Sequence, residues 1–104
     1  MRPRFLSFLF LAALGGTVTA SPPRPPQLGL CAACHGEDGI ARAPGTPHLA
    51  GQDEQYLVDA LKQYRSGRRD AAAMRAVSGA LSEADIAAFA RWYAAQVPRG
   101  GATR

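Results

Sequence analysis

Two cysteines and a histidine lie within five residues in the sequence Cys31-Ala32-Ala33-Cys34-His35. Thiols three positions apart fall on the same side of a helical turn, where each sulfur can form a thioether to a vinyl carbon of a haem. The adjacent imidazole of His35 is then placed to bind the iron as its proximal axial ligand. The pattern therefore predicts one haem c, attached through Cys31 and Cys34.

The Cys-x-x-Cys pair also occurs in other kinds of site. It is the redox pair of thioredoxin-like enzymes, half of a zinc site, or a small disulfide. Zinc fits least, because the chain holds two cysteines and two histidines and His48 has no partner histidine at ligand spacing. A thioredoxin-like dithiol needs βαβ architecture, and no run here has the alternation or β-branched content of a strand. A thiol-disulfide protein using the Cys-x-x-Cys pair stays the alternative.

The first twenty residues have the features of a signal peptide that is removed on export. Arg2 and Arg4 precede an apolar stretch over residues 5–16, and Val18-Thr19-Ala20 is a small-residue cleavage site. The stretch is shorter than the ~20 residues that a spanning helix needs, so we expect cleavage rather than a membrane anchor. The mature protein, residues 21–104, is then expected in the periplasm, with no stable membrane insertion.

Length and charge limit what the mature chain can be. The full chain has 104 residues, 12 of them Lys or Arg and 8 Asp or Glu, and losing Arg2 and Arg4 leaves 10 basic residues against 8 acidic ones. This near balance, without a basic patch, argues against a nucleic-acid partner. A domain this small is marginal unless a disulfide, metal or cofactor supports it. We therefore expect the haem-free chain to be poorly folded.

The mature sequence opens with a segment that favours extended structure. Four prolines lie within residues 21–26, a composition typical of a solvated tether. Residues 27–33 can then form a brief helix with the Cys-x-x-Cys-His motif at its C-terminal end. Residues 36–52 contain four glycines and two prolines without a sustained period, which predicts a loop wrapped around the proximal face of the haem.

Helical periodicity dominates the rest of the chain. Residues 53–66 carry apolar side chains at helical spacing, and a short helical turn is expected around Met74. The last helix should begin after Ser82, a good N-cap, with an apolar stripe that runs to Val97. We therefore predict an all-α domain over residues 27–98.

The order and spacing of several motifs resemble a class I cytochrome c, most closely the bacterial periplasmic type with one haem. The resemblance covers nearly the whole mature chain and is carried by Cys31 to Gly39 (CAACHGEDG), Pro47 to Gln52 (PHLAGQ), Tyr56-Leu57, Leu61, Gly67 to Arg69, Met74, Leu81-Ser82 and Asp85-Ile86. It implies a small cytochrome c fold of about three to four helices around one covalently bound haem. Residues 99–104 would be a flexible tail.

The second axial ligand can be a thioether, an imidazole, an amine, or absent. Met74 is the only methionine left once Met1 is removed, and it lies between two predicted helices. The family spacing also favours Met74 as the distal ligand. His48 is the rival and would give an iron with two histidines. His35 with Met74 fills both axial sites, which suits a one-electron carrier rather than an enzyme, whereas an open distal site would indicate a haem enzyme or sensor.

Residues around the ligands are expected from the family and from their chemistry. The resemblance assigns the carbonyl of Pro47 as the acceptor for the second ring nitrogen of His35, with Pro44 as the alternative. It also places Gly29 at a close crossing of the first and last helices. Four further side chains are candidate contacts of the haem propionates, and they are Tyr56, Tyr64, Arg69 and Trp92.

Small apolar side chains are expected around the exposed haem edge, where a redox partner would dock. The candidates are Ala32, Ala33 and residues 71–73. Contacts of this kind are small and transient. The expected partners are a redox protein that donates the electron and one that accepts it, and the chain is also a candidate subunit of a larger redox complex.

Overall fold

A computed structural model describes residues 1–16 and 20–99 of the chain. These ranges hold four helices and no strand: α1 (Gly29–His35), α2 (Glu54–Ser66), α3 (Ala72–Ser78) and α4 (Glu83–Ala94). The all-α prediction is confirmed. Within the same ranges no helix has the length and apolar content to cross a membrane. Val18 and Thr19 of the expected cleavage site, and residues 100–104 of the expected tail, lie outside the described residues.

Helix α2 begins and ends at residues suited to those positions. The carboxylate of Asp53 accepts a hydrogen bond of 2.8 Å from the backbone N–H of Tyr56, which satisfies one of the free donors of the first turn. Gly67 ends the helix in the left-handed conformation, with φ of 80°. The helix therefore matches the predicted range, with Asp53 as its cap rather than its first residue.

Helix α4 has a complete capping box and buries one face. The Ser82 side chain accepts from the N–H of Asp85, and the Asp85 carboxylate accepts from the N–H of Ser82, each at 3.0 Å. The helix ends at Ala94, so the predicted apolar stripe does not extend to Val97, which is exposed. The carbonyl of Tyr93 accepts from the N–H of Gln96 at 3.2 Å and also from the N–H of Gly51, in the distant loop over residues 36–52, at 3.1 Å.

Helix α1 is short, and the residue before it supplies its contact with the core. Leu28 is fully buried in a cluster with Leu57 of α2 and Ile86, Phe89 and other residues of α4. The expected close crossing at Gly29 is contradicted, because a Cβ built there would have no neighbour within 4 Å. The side chain of Leu28 occupies the core, whereas Gly29 faces open space.

The proline-rich segment is more ordered than a solvated tether. Pro25 is buried, and its carbonyl accepts a hydrogen bond of 3.1 Å from the N–H of Leu28. The Arg24 guanidinium forms an ion pair with the carboxylate of Glu37, which lies in the loop after α1. From Arg24 onward, therefore, this segment packs against the domain that it was expected only to tether.

Candidate functional site

An apolar cavity of about 520 Å³ lies at the centre of the helical domain. Cys31, Cys34 and His35 reach it from α1, and Met74 reaches it from the first turn of α3. The remaining walls are largely aliphatic and aromatic side chains from α2, α4 and the loop over residues 36–52. A volume of this size is in the range of small-molecule and cofactor sites.

The ring of His35 is buried and held in one orientation. Its side chain ends α1, is 7% exposed, and places Nδ1 at 2.9 Å from the carbonyl oxygen of Pro47. A carbonyl can only accept, so Nδ1 carries the proton and donates it. The other ring nitrogen, Nε2, is left with a free lone pair, which is the state required of a metal ligand.

The loop over residues 36–52 is bonded internally and to the end of α1. The N–H of Leu49 donates to the carbonyl of Gly39 at 2.8 Å, and the N–H of Arg42 donates to the carbonyl of Cys34, also at 2.8 Å. The carbonyl of Pro47 is therefore presented to His35 by a loop with a defined shape. Pro44, the alternative acceptor, is not the partner of His35 in the structure.

His48 also lines the cavity, but its ring has another function. Its Nδ1 accepts a hydrogen bond of 2.8 Å from the backbone N–H of Ala41. A neutral imidazole that accepts at Nδ1 carries its proton on Nε2. In this arrangement neither nitrogen of His48 has a lone pair free for a metal.

The two thiols differ in their surroundings. Cys31 is partly buried and Cys34 is exposed, and neither forms a disulfide. Burial raises the pKa of Cys31 to about 11, so its thiol is protonated at neutral pH. A redox-active dithiol needs a thiolate with a lowered pKa, and the βαβ architecture around it, whereas residues 1–16 and 20–99 contain no strand. These properties disfavour the thiol-disulfide alternative.

Three of the four candidate propionate contacts form one cluster at the cavity. The Arg69 guanidinium lies 5.0 Å from the ring centre of Tyr64 and 5.9 Å from that of Tyr56. Its Nη1 also donates to the hydroxyl of Tyr56 at 3.5 Å, a contact that raises the pKa of Arg69. A fixed positive charge beside two phenol hydroxyls can bind a carboxylate.

Trp92 has a different place from the one predicted. It does not line the cavity, and its indole N–H donates to the backbone carbonyl of Glu37 at 2.7 Å. Its neighbour Tyr93, which lies on the predicted apolar stripe of the last helix, lines the cavity and donates its hydroxyl proton to the carbonyl of Gly36 at 2.8 Å. Burial is the main cause that raises the pKa of Tyr93 well above its ordinary value.

The donor set fits a covalently bound haem. The apolar cavity brings together two thiols for thioether bonds, an imidazole with a free Nε2, a methionine thioether and a cationic rim. No group of three or more His, Cys, Asp or Glu side chains that could hold a metal ion occurs in the described part of the chain. The four-ligand set of a structural zinc ion is therefore not present there.

Comparison with known proteins gives the same assignment. The cytochrome c family profile matches residues 28–92. The chain is 39% identical over 97 residues to the thiosulfate dehydrogenase electron acceptor of Thiomonas intermedia (strain K12), which covers 88% of this chain and 45% of that protein. It is 44% identical over 73 residues to cytochrome c-554(548) of Halomonas halodenitrificans, covering 67% and 88% of the two chains.

A third relative is cytochrome c4 of Pseudomonas aeruginosa, 40% identical over 67 residues that cover 64% of this chain and 33% of the relative. The chain therefore spans less than half the length of two of these three relatives, at 45% and 33%. The family match extends from Leu28 in the core to Trp92 in α4 and includes the Cys-x-x-Cys-His motif. This chain belongs to the cytochrome c family and binds a c-type haem covalently.

Proposed function

We propose that the protein is a periplasmic one-electron carrier in which His35 and Met74 are the two axial ligands of the haem iron. The observation that carries this proposal is the shared cavity. It receives both thiols of the attachment motif, a neutral imidazole with its free nitrogen, and the one thioether of residues 20–99. When bound, the haem supplies an iron that changes between the ferrous and ferric states.

The residues of the chain limit the site to electron transfer. Cys31 and Cys34 attach the cofactor, and the Nδ1–H···O=C bond from His35 to Pro47 fixes the proximal ring. The Met74 thioether, from the opposite helix α3, closes the distal side. With both axial positions filled by side chains, no substrate reaches the metal, and a thioether ligand also favours the ferrous state relative to a second imidazole.

The distal assignment is tested by comparing two variants. Met74→Ala should remove the thioether-to-ferric-iron charge-transfer band and allow added cyanide or imidazole to bind the iron. His48→Ala is the matched control, because His48 lines the same cavity while its ring is bonded to Ala41. It should keep the band and stay closed to added ligands. If the wild-type protein lacks the band, and added ligands bind the iron of His48→Ala but not that of Met74→Ala, the distal ligand is His48.

We also propose where the haem propionates bind, from the polar side chains at the rim of the cavity. Tyr56, Tyr64 and Arg69 form the cluster described above, and we assign the propionates to it. Arg69→Gln should then lower the reduction potential, because losing this positive charge leaves the propionate charge uncompensated and shifts the balance between ferrous and ferric iron toward the ferric state. Spectroelectrochemical titration at low and high salt measures this balance, and an unchanged potential at both salt concentrations would place the propionates elsewhere.

We also propose that electron exchange takes place across the small residues beside Met74. Ala71 and Ala73 line the cavity, and Ala72 between them is exposed. Ala72→Lys should slow electron exchange with the physiological partner and leave the potential nearly unchanged. Ala84→Lys is the matched control, because Ala84 is exposed on α4 and does not line the cavity. Equal rates for the two variants would place the docking surface on another face.

The partners proposed are a redox enzyme or protein that donates the electron and a second redox protein that accepts it. Similarity to two proteins named thiosulfate dehydrogenase electron acceptor supports a dehydrogenase as the donor class. Residues 1–20 are proposed as the signal peptide and residues 27–98 as the cytochrome domain. N-terminal sequencing of the exported protein checks the cleavage site, and the size of its native complexes separates a free carrier from a subunit.

A further inference from the structure

A single residue of α4 contacts both ends of the loop that carries Pro47. The Tyr93 hydroxyl donates to the carbonyl of Gly36 at 2.8 Å, and the Tyr93 carbonyl accepts from the N–H of Gly51 at 3.1 Å. Gly36 directly follows His35, and Gly51 comes four residues after Pro47. Tyr93 is 2% exposed, so both bonds are shielded from competing water.

The residue before it adds a third bond to the same segment. The Trp92 indole N–H donates to the carbonyl of Glu37 at 2.7 Å. Two adjacent side chains of α4 therefore hold two consecutive carbonyls that follow His35. The bonded residues are 57 and 55 positions apart in sequence. Both bonds are therefore long-range contacts, and they set the position of the first loop residues relative to α4.

The backbone lies close to neighbouring residues at both ends of the loop. Gly36 has φ of +77°, and a Cβ there would lie 2.2 Å from the carbonyl oxygen of Ile40. Gly51 has φ of +70°, and a Cβ there would lie 2.5 Å from the ring of Pro98. Hydrogen bonds within the loop connect its first half to the residues on either side of Pro47, for example from the N–H of Leu49 to the carbonyl of Gly39. A displacement at one end of the loop therefore changes the position of the Pro47 carbonyl.

We propose that Tyr93 is a positioning residue for the proximal ligand. Its hydroxyl holds the loop in the geometry that keeps the Pro47 carbonyl on Nδ1–H of His35. This inference rests on the proposed function only in taking His35 as the iron ligand. A strong Nδ1–H···O=C bond raises the basicity of the ligating nitrogen and stabilises ferric iron. Loss of the Tyr93 hydroxyl therefore weakens that bond and raises the reduction potential.

The test compares Tyr93→Phe with a variant of similar stability loss elsewhere on the same helix. Ile86→Val is suitable, because Ile86 is fully buried on α4 and does not line the cavity. Two quantities are measured on the holoproteins: the reduction potential, and the rate at which the Nδ1 proton of His35 exchanges with solvent by NMR. Tyr93→Phe should raise both, whereas Ile86→Val should change neither. Equal values for Tyr93→Phe and wild type would overturn the proposal.

A second variant keeps the test decisive if Tyr93→Phe does not fold. Trp92→Phe removes the bond to Glu37 together with part of the ring that packs against the core. It keeps the Tyr93 bonds and should change both quantities in the same direction by a smaller amount. A wild-type protein whose His35 does not bind the iron would show no iron-shifted ring signals for this residue. That result would contradict the proposed function before any variant is compared, so the two failures are distinguishable.

Discussion

The Nδ1 atom of His35 lies 2.9 Å from the carbonyl oxygen of Pro47, twelve residues later in the chain. This bond connects the haem attachment motif on α1 to the loop that follows it. A carbonyl leaves the imidazole neutral and increases its electron donation moderately, whereas a carboxylate partner would increase it more. The structure therefore combines a moderately basic proximal ligand with the weak thioether donor proposed on the distal side.

Removing both thioether bonds should remove the folded state as well. The described residues contain eight buried hydrophobic side chains, a core too small to offset the entropy of ordering the domain without the cofactor. Cys31→Ser with Cys34→Ser is expected to lose the cooperative thermal transition that the holoprotein shows by circular dichroism. A haem-free double variant with a cooperative transition near the wild-type Tm would show that the chain folds alone.

Gly29→Ala is expected to stabilise the protein. Gly29 is the first residue of α1, and its Cβ would have open space around it. Alanine lowers the backbone entropy of the unfolded chain, so the free energy of unfolding should rise by roughly 0.5 kcal/mol. Gly36→Ala is the contrasting variant, because a Cβ there would meet the Ile40 carbonyl at 2.2 Å. Denaturant unfolding measures both, and a destabilising Gly29→Ala would indicate the close helix crossing.

Ser78→Ala should also be stabilising. Ser78 is fully buried, and its hydroxyl has no hydrogen-bond partner among the described residues. A buried polar group without a partner costs about 1–3 kcal/mol, and alanine removes it with little change in volume. Ser66→Ala serves as the control, because the exposed Ser66 hydroxyl donates to the Gln63 carbonyl at 3.1 Å. If Ser78→Ala lowers the midpoint of chemical unfolding, its hydroxyl has a partner in the holoprotein.

Alkaline pH should destabilise the protein through Tyr93. Burial, with smaller effects of the carboxylates of Glu37 and Asp38, raises the pKa of this phenol in the folded state. The unfolded chain loses the proton near the ordinary value of about 10. The stabilising contribution is therefore complete below about pH 10 and is lost as the pH rises toward the folded-state pKa.

Tyr93→Phe should accordingly flatten the fall of Tm above about pH 10. Its Tm at neutral pH should be lower, because the Gly36 carbonyl loses a buried donor. Ile86→Val is the matched control, since it weakens the buried packing of the same helix without removing a titratable group. An identical alkaline profile for Tyr93→Phe and wild type would mean that another group causes the loss of stability.

The sequence predicts those parts of the fold that depend on local patterns. The helical spacing of α2, the N-cap at Ser82 and the spacing of the Cys-x-x-Cys-His motif each involve residues a few positions apart. The contacts of Trp92 and Tyr93 with the carbonyls of residues 37 and 36 span more than fifty positions. The helical spacing of Trp92 and Tyr93 in the sequence would be the same whether or not the indole N–H and the phenol O–H formed hydrogen bonds. The spacing therefore does not predict these two bonds.

Two other differences have the same physical origin. The order of the proline-rich segment accompanies the burial of Pro25, its bond to Leu28 and the Arg24–Glu37 ion pair, none of which composition reveals. The free space at Gly29 follows from the burial of Leu28 beside it. Only the family resemblance predicts that the Pro47 carbonyl accepts from His35. Every residue has a backbone carbonyl, so the residue type does not indicate which carbonyl accepts a hydrogen bond.

The absorption spectrum of the oxidised, purified protein tests the central claim most directly. A covalently bound haem with His35 and Met74 as axial ligands predicts a low-spin ferric spectrum that includes the thioether-to-iron charge-transfer band. A high-spin spectrum, or a low-spin one without that band, would contradict the six-coordinate electron carrier proposed for this chain.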